Sequence, residues 1–248
     1  MIFIKKIKII LLQLFLICGV FSFAGQEFRG ISAADLLLQK QGFSLGYSYK
    51  YRQPIWISYT LTTEQLQGKQ VRRKNRFRPD SAIKKRPVQP KDYVRSGYNK
   101  GHLAPAADMT YSLPSMENSF LMTNISPQIP GCNRGIWKRV ENQVRRWALN
   151  EGKLYIITGP IFPKKPPVMG KAAIAVPEAF YKVILDLTPP MKMIGFIVPN
   201  KTSKCRIASF AASVDEVERI TGYDFFSELD DELENSLEKT CDINIWKL

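Results

Sequence analysis

The sequence predicts an α+β fold, because strand-like and helix-like apolar patterns both recur along the chain. One segment, 134–148, repeats apolar residues at the spacing of an amphipathic helix. Five others have the pattern of strands, two from alternating apolar residues and three from short apolar runs bounded by glycine and proline: 43–49, 55–61, 154–159, 180–185 and 193–198. Neither a repeat nor a linker interrupts this series, so we expect a single domain over residues 25–248.

Residues 1–24 have the pattern of a secretory signal peptide. A basic start precedes an apolar run at 9–23, and the small residues Ser22 and Ala24 stand three and one positions before the expected cleavage point. The run is shorter than the ~20 residues that cross a membrane. We therefore expect a secreted or periplasmic protein with no stable membrane association after cleavage, and an uncleaved N-terminal anchor is the alternative.

The composition is that of a globular protein with an unusual charge. Of 248 residues, 45% are hydrophobic and 23% charged, which excludes a disordered or fibrous chain. The formal net charge of +14 at pH 7 indicates an anionic partner, namely nucleic acid, an acidic membrane surface or another polyanion. A basic surface without a specific ligand is the alternative. Residues 25–206 are strongly basic, whereas residues 215–239 are rich in acids.

The first two strands alternate apolar and polar residues, so each is expected to bury one face. A very basic segment, 69–78, follows them and contains Arg73, Arg76 and Arg78. Such a segment is either a solvated loop or, because it lies upstream of the only histidine, a loop that contacts phosphates.

The predicted helix carries Trp137, Val140, Val144 and Trp147 on one face and basic residues on its other positions, so one face is expected in the core. A second helix is predicted to begin after Ser213, which suits an N-cap. Both helices follow strand-like segments, as the α+β prediction requires.

Three cysteines remain after the signal peptide. Export places them in an oxidising compartment, where one pair forms and one thiol is left over. We expect Cys205 to pair with Cys241, because that bond would tie down the C-terminal segment, and Cys132 to stay free. Their spacing does not match a zinc site.

One ordered set of polar residues indicates catalysis. His102 is the only histidine, and the neighbours Gly101 and Pro105 place it on a rigid turn from strand to loop. Asn133 stands near the start of the predicted helix and offers a neutral oxygen ligand for Mg²⁺. Glu141 lies eight residues on, about 80° round the helix, and leans back toward Asn133. Taken singly, each has an ordinary structural explanation: a surface or core histidine, an N-cap, and an exposed helical glutamate. Together they suit metal-assisted attack on a phosphodiester.

The order of these motifs resembles the DNA/RNA non-specific endonuclease family, which includes secreted bacterial nucleases and mitochondrial endonuclease G. The resemblance covers nearly the whole chain after residue 24 and rests on the following segments: Gly101-His102-Leu103-Ala104-Pro105, Asn124-Ile125-Ser126-Pro127-Gln128, Asn133-x-Gly135-x-Trp137 with Glu141, Thr158-Gly159-Pro160, Val176-Pro177-x-x-Phe180-x-Lys182, Val198-Pro199-Asn200 and Thr221-Gly222-Tyr223-Asp224-Phe225-Phe226. It implies a central antiparallel sheet with flanking helices and a ββα-metal active site. It also implies DNA and RNA as substrates and 5′-phosphate products, and because the family often dimerises it allows a homodimer.

The resemblance also implies a role for each site residue. His102 would be the general base, Asn133 the direct protein ligand of Mg²⁺ or of Mn²⁺ in its place, and Glu141 would hold a water on that metal. Asn124 would help to fix the histidine and phosphate region. The residues expected to bind nucleic acid are Arg73, Arg76, Arg78 and Arg134.

The chain departs from the family beside the histidine, where Asn99-Lys100 replaces the usual Asp-Arg. Lys100 keeps the positive charge of a catalytic basic residue but not the bidentate fork of arginine. This departure leaves two alternatives to a nuclease: a catalytically impaired nucleic-acid-binding protein for DNA capture or uptake, and a phosphodiesterase or phosphatase that acts on small esters.

Overall fold

A computed structural model of the protein describes residues 34–248, and the predicted signal peptide over 1–24 lies outside the described residues. The strands are β1 (Leu36–Lys40), β2 (Phe43–Ser48), β3 (Gln53–Thr62), β4 (Asn99–His102), β5 (Ile125–Gln128), β6 (Lys153–Ile161), β7 (Val168–Met169), β8 (Ile174–Ala175), β9 (Ala179–Asp186), β10 (Lys192–Pro199) and β11 (Ala211–Ala212). The α-helices are α1 (Thr63–Gln67), α2 (Leu113–Ser119), α3 (Lys138–Glu151), α4 (Val214–Thr221) and α5 (Asp231–Glu238).

A seven-stranded sheet forms the centre of the fold, in the order β1-β2-β3-β6-β9-β10-β11. Every neighbouring pair in it is antiparallel. The five strands predicted from sequence correspond to β2, β3, β6, β9 and β10. The prediction of an α+β fold with a central antiparallel sheet and flanking helices is therefore confirmed.

Both faces of this sheet are covered. On one face α3 packs through Val140, Val144 and Trp147 into a core that includes residues of β2, β3, β6, β9 and β10. On the other face Val214 and Val217 of α4 pack into a second core beneath β6, β9 and β10. Strand β3 is buried along most of its length, and its residues Ile55 and Trp56 belong to the second core, so the prediction that it buries one face is wrong. Alternation in the sequence does not reveal what packs against the polar side of a strand.

The segment that leads to the candidate site is a ββα unit. Strands β4 and β5 form a separate antiparallel pair, and a π-helical turn, Cys132–Trp137, whose backbone is kinked at Gly135, then runs into α3. Helix α3 ends at Gly152, whose φ of +91° favours glycine. The helix after Ser213 is also confirmed, since the Ser213 hydroxyl accepts a hydrogen bond from the backbone N–H of Glu216.

The cysteines differ from the prediction. Cys132, Cys205 and Cys241 are all free thiols, so the expected Cys205–Cys241 disulfide is wrong. Cys205 lies on an exposed loop between β10 and β11, whereas Cys241 packs partly against the core under α3. None of the helices within residues 34–248 is long and apolar enough to cross a membrane.

Candidate active site

His102 is the last residue of β4, where it pairs with Ile125 of β5. The residue before it, Gly101, lies directly against the side chain of Gln128 on the partner strand. A Cβ at Gly101 would come within 2.4 Å of that side chain, which real Cβ atoms do not tolerate. Glycine is therefore required here because two strands approach closely, and this approach fixes the backbone that carries His102.

Aromatic rings hold the imidazole of His102 in place. Its centroid lies 5.4 Å from that of Phe77 and 5.1 Å from that of Phe120, the latter edge-on at 90°. From the opposite side, Trp137 Nε1 donates a hydrogen bond to the carbonyl oxygen of His102 at 3.4 Å. Phe77 of the basic segment and Phe120 at the end of α2 therefore pack against the ring, and Trp137, in the turn before α3, holds the backbone that carries it.

The electrostatic surroundings keep His102 neutral. Its Nε2 atom is shielded from solvent and has no hydrogen-bond partner among the described residues. Burial, and to a lesser extent the nearby Arg73 guanidinium, lower the pKa of His102 to about 3. A neutral imidazole with an unpartnered nitrogen is the form that accepts a proton.

Asn124 lies behind the histidine and does not line the cavity in front of it. It is fully buried, and its Oδ1 accepts a hydrogen bond from the N–H of Ala104 at 2.9 Å. Its Nδ2 donates to the carbonyl oxygens of Ala104 and Ser119, at 2.9 and 2.8 Å. Asn124 therefore ties the chain just after His102 to the end of α2.

Six of the residues predicted for the site meet in one cavity of about 260 Å³. They are Arg73, Lys100, His102, Asn133, Arg134 and Glu141. The π-helical turn presents Asn133, and the first turn of α3 presents Glu141. Neither side chain makes a hydrogen bond with the residues described by the structure, so the oxygen atoms of both are available to a ligand in the cavity.

A buried lysine lies beneath this cavity. Lys182, on the central strand β9, is fully buried, and its Nζ has no hydrogen-bond partner in residues 34–248. Its ammonium lies 5.1 Å from the ring centroid of Trp137 and 5.7 Å from that of Tyr59. Burial lowers the pKa of Lys182 and raises that of Glu141, and the opposite charges of the two groups counteract both shifts.

Two charged residues of the cavity wall were not predicted for the site from sequence. Lys138 and Arg145 line it from α3, although the helical pattern assigned them only to its polar positions. Arg145 is held by an ion pair with the buried carboxylate of Asp108, which also accepts a hydrogen bond from the Tyr59 hydroxyl at 2.9 Å. The spacing of four residues between Glu141 and Arg145 places them on one helix face and is the signal that indicates Arg145.

Of the predicted basic residues, Lys100 lies in the cavity beside two aromatic rings, whereas Arg76 and Arg78 lie outside it. The Lys100 ammonium lies 5.2 Å from the ring centroid of Phe77 and 5.9 Å from that of Tyr93. Arg76 and Arg78 line a smaller neighbouring cleft and not the cavity that contains His102. The basic segment therefore contributes Arg73 to the cavity and extends its positive charge along the surface.

The oxygen donors of the cavity suit a hard divalent cation. The amide oxygen of Asn133 and the carboxylate of Glu141 are both free of protein partners within the described chain and face one polar space. A ligand set of this kind leaves most coordination positions to water or substrate, as magnesium sites do. The residues thus fit the metal that the sequence pattern predicts.

Comparisons with known proteins agree with this geometry. Residues 26–232 match the DNA/RNA non-specific endonuclease family. A nuclease of Nostoc sp. is 31% identical over 84% of this chain and 79% of its own length. The mitochondrial endonuclease G of Caenorhabditis elegans is 35% identical over 77% of this chain and 68% of its own length.

A solved structure shares the fold. The crystal structure of the EndoG/EndoGI complex, which concerns the mechanism of EndoG inhibition, contains a chain that matches this one with a TM-score of 0.73 at 29% identity. The match covers 78% of this chain and 86% of that one.

Proposed function

This chain belongs to the DNA/RNA non-specific endonuclease family, and from that premise we propose that it is an exported endonuclease that uses Mg²⁺, or Mn²⁺ in its place, to cut DNA and RNA without sequence specificity. The observation that carries the proposal is the meeting of His102, Asn133 and Glu141 in one cavity with a cationic rim. A neutral base, oxygen donors for a cation and positive charges for phosphate are the parts that phosphodiester hydrolysis needs.

Substrate binding depends on the rim. Lys100 and Lys138 supply point charges, whereas Arg73 and Arg134 offer planar forks to phosphate oxygens; both terminal nitrogens of Arg145 are already bonded, to Asp108 and Asn142. Phosphate contacts of this type carry no base information, which agrees with cleavage that is independent of sequence. The arginine-rich segment beside the cavity lengthens the path along which a nucleic-acid backbone is held.

His102 performs the proton transfer. The imidazole of His102 takes a proton from a water molecule as the water oxygen attacks phosphorus, and the bond from phosphorus to the 3′ oxygen breaks. The phosphate stays on the 5′ end, and the released 3′ oxygen gains a proton from solvent. An anionic phosphodiester in the cavity offsets the positive charge of Arg73, which is the smaller of the two causes that lower the pKa of His102.

Asn133 would hold the cation directly, and Glu141 would accept hydrogen bonds from its water shell. When bound, the cation supplies charge stabilisation at the phosphate and at the leaving oxygen. Asn133 is suited to this task because the π-helical turn directs its free amide into the cavity, and Glu141 because the first turn of α3 holds its carboxylate opposite.

The test is plasmid cleavage by the purified chain with Mg²⁺, with Mn²⁺ and with EDTA. We expect cutting with either cation, none with EDTA, and a loss on the order of 10³-fold or more in His102→Ala and Asn133→Ala. Asn118→Ala, which changes a half-buried asparagine that does not line the cavity, is the matched control and should keep full activity. Wild-type activity in folded His102→Ala would refute the mechanism, and salt-sensitive DNA binding without any cutting would favour DNA capture.

Three finer parts of the proposal have separate tests. Ligation of the products without prior kinase treatment would support 5′-phosphate ends. Export rests on the pattern of residues 1–24, and fractionation of cells that express the full chain tests it, with retention inside the cell as the contrary outcome. Sedimentation at assay concentration tests the homodimer.

A further inference from the structure

A second cleft of the molecule combines tyrosine rings with positive charge. It lies where the turn between β2 and β3 meets the loop that precedes β4, and its lining residues are Tyr47, Tyr49, Arg52, Lys85 and Arg86. We call it the tyrosine cleft. Its volume of about 480 Å³ exceeds that of the catalytic cavity and is ordinary for a ligand-binding cleft. All five lining residues are aromatic or basic, so the cleft suits a ligand that is both flat and anionic.

The ring of Tyr49 is accessible to such a ligand. Tyr49 is 39% exposed, whereas Tyr47 beside it is almost fully buried. The two rings meet edge to face, with centroids 5.5 Å apart and planes at 81°. An edge-to-face neighbour covers at most one face of a ring, so the exposed area of Tyr49 leaves a face on which a flat group can stack.

The positive charges of the tyrosine cleft are not neutralised by acids. Lys85 and Arg86 are exposed, and neither forms an ion pair among the residues that the structure describes. Arg52 donates a hydrogen bond from Nη2 to the carbonyl oxygen of Arg86, which joins the turn to the loop. Residues 84–95 include five basic residues and a single acid, Asp92, whose carboxylate accepts a backbone hydrogen bond. This part of the surface therefore attracts an anion.

The backbone around the tyrosine cleft is strained and held in place. Arg52 has a φ of +57° and Arg86 a φ of +47°, a left-handed conformation that residues with a Cβ rarely adopt. Asp35 fixes the turn, because its Oδ2 accepts hydrogen bonds from the Ser48 hydroxyl at 3.1 Å and from the N–H of Tyr49 at 2.7 Å. Strained backbone of this kind is concentrated at binding and catalytic sites. It supports a functional role for the cleft independently of its charge.

One buried residue, Tyr93, connects the tyrosine cleft with the catalytic cavity. The ammonium of Lys100, which lines the cavity, lies 5.9 Å from the ring centroid of Tyr93. Burial, and to a lesser extent the neighbouring Tyr47, raise the pKa of Tyr93, so Tyr47 of the cleft is also close to it. The two sites are near enough for one strand of nucleic acid to occupy both.

We propose that the tyrosine cleft binds an unpaired base of a single-stranded nucleic acid, stacked on Tyr49, while Lys85 and Arg86 hold the adjoining phosphates. Stacking on an aromatic ring accepts every base, which agrees with cleavage that is independent of sequence. A base inside a duplex cannot present its face to a side chain, so the cleft favours single strands over duplex. The inference rests on the proposed function for the identity of its ligand, but the binding itself needs no cleavage.

The experiment measures binding of a short fluorescein-labelled oligothymidylate by anisotropy. It is done in EDTA and in a His102→Ala background, so that nothing is cut. Tyr49→Ala should weaken binding roughly tenfold or more, because a stacked base is lost, and Tyr49→Phe, which keeps the ring, should bind within about twofold of the background protein. A blunt duplex and an abasic oligonucleotide offer no unpaired base, so both should bind equally well with and without Tyr49→Ala.

A matched pair of lysine variants tests the phosphate contacts. Lys85→Gln removes one charge from the tyrosine cleft, and Lys239→Gln removes one from an exposed position after α5. Lys85→Gln should reduce the slope of log affinity against log salt by about 0.7, whereas Lys239→Gln should leave it unchanged. Equal slopes in the two variants would contradict a phosphate contact at Lys85.

Affinity for oligothymidylate within about twofold of the background protein in folded Tyr49→Ala would overturn the proposal. An equal loss for the abasic oligonucleotide would also overturn it, because that result would indicate binding by charge alone. Tyr49→Leu, which keeps an apolar side chain without a ring, is the second variant in case Tyr49→Ala does not fold.

Cleavage separates this proposal from the proposed function. With His102 restored, Tyr49→Ala should cut single strands less efficiently but hydrolyse a nitrophenyl ester of thymidine phosphate at the wild-type rate, because that small ester does not reach the tyrosine cleft. Equal losses on both substrates would place Tyr49 in support of the cavity and would overturn the stacking role. A wild type that binds single strands through Tyr49 but cuts nothing would refute the nuclease and support the cleft.

Discussion

Replacement of Asn124 by alanine tests whether the turn after His102 is held by a single side chain. The substitution removes three hydrogen bonds at once: one accepted from the Ala104 N–H and two donated, to the carbonyl oxygens of Ala104 and Ser119. All these groups are shielded, so water cannot replace the lost partner without entering the core. The perturbation therefore acts on the backbone that follows the base.

The magnitude follows from the buried groups left behind. A buried polar group that loses its partner costs about 1–3 kcal/mol, so Asn124→Ala should lower the free energy of unfolding by about 3–5 kcal/mol. For a domain of this size that corresponds to a fall in melting temperature of roughly 6–20 °C. Asn124→Asp should also destabilise, because its carboxylate would face two carbonyl oxygens, and it should recover on acidification as the carboxylate takes up a proton.

The assays are urea unfolding and nuclease kinetics well below the melting temperature. We expect kcat to fall on the order of 10–100-fold in Asn124→Ala, because the base is displaced, while KM changes little since the cationic rim is intact. Asn118→Ala is the control: it removes one exposed hydrogen bond, to the carbonyl oxygen of Gln41, and should cost less than about 0.5 kcal/mol. A loss of stability below 1 kcal/mol in Asn124→Ala, or an unchanged kcat in the folded variant, would refute this reasoning.

Three further predictions address the fold. Gly101→Ala should destabilise the protein by more than about 2 kcal/mol in thermal unfolding, because its Cβ would strike the side chain of Gln128. In the control Gly97→Ala the Cβ meets nothing within 4 Å, so the loss should be only the ~1–2 kcal/mol of a left-handed backbone. Equal losses would contradict the close contact of Gly101 with Gln128. The pKa values of Glu234 and Glu238 are raised in the folded state, so their contribution to stability is complete below the ordinary glutamate pKa and is lost as pH rises through 7 to 8. When the pH is raised from 5.5 to 8.5 in EDTA, the urea midpoint of the wild type should therefore fall further than that of Glu238→Gln. Parallel pH curves for the two proteins would contradict this. Ellman's reagent should modify the exposed thiol of Cys205 in the native chain. It should reach Cys132 only after unfolding without reductant, because burial raises the pKa of that thiol to about 12. A missing thiol after unfolding would indicate a disulfide.

The central strands were predictable because their apolar patterns are strong. β9 and β10 carry apolar runs, which only Lys182 interrupts in β9, and Trp137 to Trp147 follow the helical period that buries one face of α3. β1 was missed because its residues Leu36–Lys40 form an edge strand with alternating half-exposure and no turn signal before it. α5 was missed because its acids dominate the pattern, although two of them are buried.

The site divides in the same way between local and non-local information. His102, Asn133 and Glu141 follow from motif order along the chain, and the cavity brings them together. The buried ammonium of Lys182 does not follow from any local pattern, since a lysine within an apolar strand gives no sign of which helix lies above it. Its position beneath Trp137 results from the packing of α3 on the sheet, which involves residues more than 40 positions apart.

Asn99-Lys100, which replaces the usual Asp-Arg of the family, removes one arginine from a cavity that has other basic residues. Lys100 retains a positive charge beside the rings of Phe77 and Tyr93 but offers no bidentate fork. Arg73, Arg134 and Arg145 line the same space, and Arg145 is held firmly by Asp108. Because the guanidinium groups of Arg73 and Arg134 remain available to phosphate oxygens, the loss of one fork weakens substrate orientation more than it removes substrate binding. His102 and Asn133, the proposed base and cation ligand, lie outside the replaced pair, so we expect the replacement to change the rate for a given substrate and not the type of reaction.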